Sequence, residues 1–315
     1  MDCNPNFEHV QYGSIRPFAT SVDIGVTEAR EQEQTGVMAS VSRDREAHVA
    51  DEEQLPGDLR KRLSLRTAQV DLALHHYGVA AASARVVLVL GASGSMAGLY
   101  SRGVVADLVE RVAAVAARLD ERGGMRAWTF ASNPARLPDV DLAGLPAWLR
   151  LHVRVGQFRL FGRPRRPRRG LLPGQTDMRA VGIRNEEHKA MAAVRAYVRE
   201  NPAPAPTLVL FFSDGGVHRD REIEAELRAS VEEPLFWQFV GLGRADYGVL
   251  SRLDTLPGRP VDNASFFTVD DIARTSDAEL YDRLLCAFPP WLTAANRAGI
   301  LDRPVRPAPA ARPRP

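Results

Sequence analysis

With 315 residues, 45% of them apolar, the chain has enough length and apolar content to bury a real core in one large or two modest domains. Its net charge of +2 hides an asymmetry, because residues 1–53 sum to −7 and leave +9 on the remainder, an acidic tail on a basic body. The longest aliphatic run, Val86 to Leu90, falls far short of the roughly 20 residues that span a bilayer; the opening residues Met1 to Asn6 lack a secretory pattern, and Cys3 and Cys286 lack disulfide-scaffold or metal-ligand spacing, so a cytoplasmic protein without membrane contact is expected.

Residues 1–53 have no sustained period and few large apolar side chains, and they read as a disordered tail. Residues 54–84 form a short lead-in. Val70, Leu72 and Leu74 alternate as in a strand, but Leu65, Ala68 and Leu72 have helical spacing, and a helix packed on the domain is the preferred reading. From residue 85 the pattern sharpens. Val86 to Leu90 reads as a strand buried on both faces, and Val105, Leu108, Val109, Val112, Ala116 and Leu119 share one helical face. Gly123-Gly124 ends that helix, and Met125 to Phe130 is the next strand. A single helix is expected over Met178 to Arg199, stopped by Asn201-Pro202, with Asn185 to His188 as its solvated start.

Further along, Thr207 to Phe212 and Leu235 to Val240 read as strands on either side of a helix over Glu222 to Val231. Phe236, Trp237 and Phe239 are expected in the core. Ser276 to Glu279 has capping-box spacing ahead of a last helix containing Leu280, Leu284 and Leu285. Residues 301–315 form a Pro/Arg-rich tail. Alternating strands and helices over 85–300 predict an α/β domain with a doubly wound, mostly parallel sheet covered by helices on both faces.

In such sheets ligands sit beyond the carboxyl ends of the strands. Gly91 to Ser95, Gly174 to Asp177 and Phe212 to Gly216 should converge there. They offer hydroxyls and a carboxylate, oxygen ligands suited to Mg²⁺ or Mn²⁺. Alternatively, Ser93 and Ser95 cap a helix and Asp214 makes a turn. Gly91 to Ser95 also has the outline of a nucleophile elbow, but Ser95 stands where the final glycine belongs, leaving a serine hydrolase acting through Ser93 as a minor reading. A basic insertion, 157–173, holds six arginines between Arg159 and Arg169. Of these, Arg163, Arg165, Arg166, Arg168 and Arg169 could bind phosphate or nucleic acid, or form a solvated loop.

These residues resemble the metal-ion-dependent adhesion site of the von Willebrand factor A (VWA) family, which has a Rossmann-like fold. Ser93 and Ser95 match its two serines, Thr176 its threonine and Asp214 its later aspartate, while Gly91 stands in place of the leading aspartate. Phe236 to Gly241, Val261 to Ala264, Leu280 to Leu284 and Phe288 to Leu292 are similar to the bacterial tellurium-resistance, TerF-type branch. The resemblance implies a non-catalytic module of a tellurium or stress-resistance system. Its partners would be proteins, including other tellurium-resistance proteins, and its metal site would be degenerate. On this reading Mg²⁺ binding is weak or absent and Gly91→Asp restores it; Asp177 is the possible substitute ligand, though a residue at a helix start more often serves as a cap, and a second possibility is that the first strand's exit favours an anion.

Overall fold

The computed structural model describes residues 55–157, 171–255 and 258–301. The acidic tail, most of the arginine insertion with all five candidate anion-binding arginines, and the last fourteen residues lie outside them.

Six strands form one sheet: β1 (Arg85–Gly91), β2 (Met125–Phe130), β3 (Pro134–Val140), β4 (Thr207–Ser213), β5 (Leu235–Leu242) and β6 (Ala264–Val269), in the order β3-β2-β1-β4-β5-β6. All neighbours are parallel except β2 and β3. The order reverses direction at β1, which lies between β2 and β4, and this creates the crevice at their carboxyl ends.

Each apolar run serves both faces because successive side chains of a strand point to opposite sides. Val86, Leu88, Leu90, Leu208, Leu210 and Phe212 belong to one core. There they meet α1 (Gly57–His76), α3 (Val104–Leu119), α8 (Asp277–Leu285) and α9 (Phe288–Arg297). Val87, Val89, Val209, Phe211, Trp237 and Phe239 belong to the other, packed against α6 (Glu187–Glu200) and α7 (Asp220–Ala229). The doubly wound expectation therefore holds, as does the core placement of Phe236, Trp237 and Phe239.

The lead-in segment is a helix, and it belongs to the domain's core. Leu59, Leu63, Val70, Ala73 and Leu74 of α1 are buried, and α1 packs on α3 and α8. A charge network fastens the three helices. Buried Arg66 reaches Asp107 at 2.6 Å, Glu110 at 3.2 Å and Asp277 at 3.1 Å, and Arg111 joins Asp107 and Asp277 from the other side. A limited digest is thus expected to leave a resistant fragment beginning near Leu55, because cleavage within α1 would first require this apolar face to leave the core. N-terminal sequencing checks this, and a stable fragment starting near residue 85 would show that α1 is dispensable.

Three further elements enter the fold without having been read from periodicity: edge strand β3, α4 (Leu145–His152) and β6. The single helix expected over Met178 to Arg199 is divided. It becomes α5 (Met178–Val181), a loop and then α6, because Gly182 adopts φ +82° and a Cβ there would collide with Ser132. Ser132 Oγ in turn accepts from the amides of Ile183 and Arg184, at 3.3 and 3.2 Å, and holds the loop open. The capping box forms as expected, with Ser276 Oγ accepting from the Glu279 amide at 3.2 Å.

Candidate functional site

At the carboxyl end of the sheet, β1 leaves through Ala92 and Ser93 into a single 3-10 turn, Gly94–Met96, followed by α2 (Ala97–Ser101). Neither serine caps it: no side-chain cap hydrogen bond comes from Ser93. Instead Ser93, almost fully buried, donates its hydroxyl to Asp214 Oδ1 at 3.1 Å and lies 2.9 Å from the Ser95 hydroxyl. Ser93 and Ser95 on one loop and Asp214 on another, 121 positions apart in sequence, form one hydrogen-bonded trio. Asp214 is half-buried and Ser95 exposed, so the trio opens to solvent.

Thr176 is half-buried in the turn before α5. Among the described residues it makes no hydrogen bond to the trio. Asp177 caps α5, accepting from the Arg179 amide at 3.1 Å, and is gripped by the Arg179 guanidinium at 3.0 Å and 2.7 Å. Of the two roles open to Asp177, substitute ligand or helix cap, the structure shows the cap.

The Gly91 position explains itself sterically. A Cβ there would lie 2.8 Å from Met96 Sδ and 3.0 Å from the Phe212 carbonyl oxygen. Met96 is fully buried, and the Tyr100 hydroxyl donates to the Gly91 carbonyl at 2.7 Å. Burial, and after it the Asp214 charge, push the Tyr100 phenol upward and keep it a donor. The volume a leading aspartate would use is therefore filled by a thioether.

These residues do not fit a divalent cation. One carboxylate is present where the adhesion site has two, a soft sulfur replaces the other, and Asp177 is engaged elsewhere. Among the described residues no three His, Cys, Asp or Glu side chains group as metal ligands.

The anion expectation turns on the backbone amides at this end of the sheet. Some of the amides around the trio are engaged: Gly94 N gives to Ile183 O at 3.1 Å, Met96 N to Ser93 O at 3.2 Å, and Gly216 N to Asp246 O at 2.8 Å. Gly215 N faces Ser213 Oγ at 3.4 Å. The 3-10 turn and the five-residue α2 supply no extended helix dipole.

A neighbouring group escaped the sequence reading. Glu187, expected at a solvated helix start, is fully buried at the first position of α6, and Glu186 is buried beside it. The correction has a clear origin: the break at Gly182 turns the loop inward, and Asn185 is tied to the Gly215 carbonyl. Ser213 Oγ donates to Glu187 Oε1 at 3.3 Å, while Oε2 has no hydrogen-bond partner among the described residues. Burial pushes the Glu187 carboxyl up to about 7, against the Ser213 hydrogen bond and His218, and Glu186 adds to the rise.

The fold and the serine–aspartate trio together define a VWA-type α/β domain. The chain belongs to the vWA-TerF-like family, described as the vWA found in the TerF C terminus, which matches residues 83–301. It is 35% identical over 248 residues to the uncharacterised protein YcbR of Bacillus subtilis (strain 168), an alignment covering 78% of this chain and 93% of YcbR. Among solved structures it is similar to a von Willebrand factor type A protein from Catenulispora acidiphila, with 12% identity and TM-score 0.43. That match covers 66% of this chain and 43% of the other. It is also similar to the mussel byssus proximal thread matrix protein 1, in a structure whose MIDAS motif is occupied by zinc. There the identity is 14% and the TM-score 0.37, covering 65% of this chain and 48% of that one. The chain thus spans under half the length of these solved proteins.

The segments that carried the TerF-type resemblance are structural. Phe236 packs on Phe288 and Trp291, with ring centroids 5.9 and 5.4 Å away. Buried Asn263 donates to Leu227 O and Ser230 Oγ, and Trp237 Nε1 donates to the same hydroxyl. Among the described residues no helix is long and apolar enough to cross a membrane.

Proposed function

We propose that this chain is a non-catalytic VWA binding module of a bacterial tellurium or stress-resistance system. It acts by protein–protein contact at the carboxyl end of its sheet, inside the cell. Membership of the TerF-type family supports the setting.

One observation carries the binding role: the Ser93 proton is committed to Asp214, with Ser95 rather than a histidine as the other neighbour. A carboxylate is too weak a base to activate a serine hydroxyl without an imidazole between them, so the arrangement suits recognition rather than nucleophilic attack. The second half of the reading is that a protein partner, not a metal, meets this face.

The test is genetic and biochemical. A strain lacking the protein should lose tellurite tolerance, regain it with the natural chain and fail to regain it with Asp214→Asn. Fluorophosphonate should leave Ser93 unlabelled. Full rescue by a soluble, folded Asp214→Asn protein, or labelling abolished by Ser93→Ala, would overturn the proposal.

A further inference from the structure

Resting on that reading, we infer that the trio at the end of the sheet recognises a cationic side chain of the partner, a lysine or arginine, without any metal. The direction of its hydrogen bonds is forced. Each serine hydroxyl has one proton, and a carboxylate oxygen only accepts. Ser93 spends its proton on Asp214 Oδ1, so the 2.9 Å contact between the serines is a bond donated by Ser95. What remains outward is the lone pairs of exposed Ser95 Oγ and the second oxygen of Asp214, which no described group engages. The amides of Gly94, Met96, Gly215 and Gly216 point elsewhere. The outward side-chain oxygens of the trio are therefore acceptors.

Such a surface asks for a donor that also carries positive charge. A complete adhesion site balances a dication with two protein carboxylates and leaves it attractive to a partner's acid. Here one carboxylate remains, and Met96 fills the place of the other. The charge to be answered falls to a single negative unit, which one ammonium or guanidinium neutralises while its N–H groups meet the Asp214 and Ser95 oxygens. Three basic side chains on the flanking loops are already paired. Arg179 is held by Asp177, Arg219 by Glu186 and Glu222, and Arg244 by Asp270. The replacement of Asp by Gly thus inverts the sign of the partner group instead of emptying the site.

The experiment is a random heptapeptide phage selection on the full-length chain, in EDTA and in Mg²⁺. Enriched sequences are then synthesised and titrated by fluorescence anisotropy against the natural protein, Asp214→Asn and Ser95→Ala. Ser95 is exposed, so its variant keeps the fold if Asp214→Asn does not. Lysine- or arginine-containing peptides should dominate and bind equally in EDTA and Mg²⁺. They should weaken about tenfold in Asp214→Asn, and measurably in Ser95→Ala, as loss of a charge-assisted hydrogen bond requires. Acidic peptides that need Mg²⁺ and still depend on Asp214 would overturn the cationic partner while keeping this face as the binding face. Peptides indifferent to both substitutions would overturn the face itself, and a selection without Lys or Arg enrichment would overturn the inference.

Discussion

Gly91→Asp is expected to destabilise the protein without restoring Mg²⁺ binding. The motif comparison alone points the other way, since it supplies the missing ligand. The packing decides against it. An aspartate Cβ at this position meets Met96 Sδ at 2.8 Å and the Phe212 carbonyl at 3.0 Å, and its carboxylate would be pressed into a buried thioether. Overpacking of this kind costs about 1–3 kcal/mol before the desolvation of the new charge is added. The double variant Gly91→Asp with Met96→Ala removes the obstructing sulfur, so it should regain part of that loss and bind Mg²⁺ or Mn²⁺. Calorimetry with each metal, together with urea unfolding of the three proteins, reads both effects. A single Gly91→Asp protein that melts like the natural one and binds Mg²⁺ would show that Met96 moves aside freely.

Glu187→Gln is expected to stabilise the protein above neutral pH and to flatten its pH dependence. Burial raises the folded-state carboxyl from its ordinary 4.5 to about 7. Between those values the folded chain holds a proton that the unfolded chain has released. The stability tied to this group is therefore complete below pH 4.5 and is lost as pH rises to 7, after which it is level. The shift corresponds to about 3 kcal/mol at full effect. Glutamine keeps the shape and an acceptor for Ser213 without ionising. Urea midpoints from pH 4.5 to 8 should converge at the acidic end and separate in favour of the variant at the alkaline end. Parallel curves would mean that Glu187 ionises in the folded state as easily as in the unfolded one. Because Glu187 underlies Ser213, next to Asp214, a matching pH dependence in partner binding would also tie this carboxyl to the exposed trio.

The sequence by itself determined the layered architecture. Strands buried on both sides need continuous apolar runs, and Val86 to Leu90 and Thr207 to Phe212 show them without any knowledge of neighbours. Local chemistry likewise placed the cap at Ser276 and the convergence of the β1 and β4 loops, because strand ends in an open parallel sheet must share an edge. Where one element's character depended on a distant one, local pattern failed. The helix over Met178 to Arg199 broke at Gly182 because Ser132, fifty positions earlier, occupies the space a Cβ would need and accepts the freed amides. Glu186 and Glu187 looked solvated because charge normally is, and only the loop's inward turn against Gly215 and Ser213 buried them. The same holds at the site. Ser93, Ser95 and Asp214 could be named from their motif, yet the loss at Gly91 reads in sequence as a vacancy. Met96, five residues on, fills it, and the directions of the two hydrogen bonds within the trio leave its outward side-chain oxygens as acceptors. Motif spacing records which groups are brought near one another. Excluded volume and the single proton on each hydroxyl, which exist only in the folded chain, decide what those groups can hold.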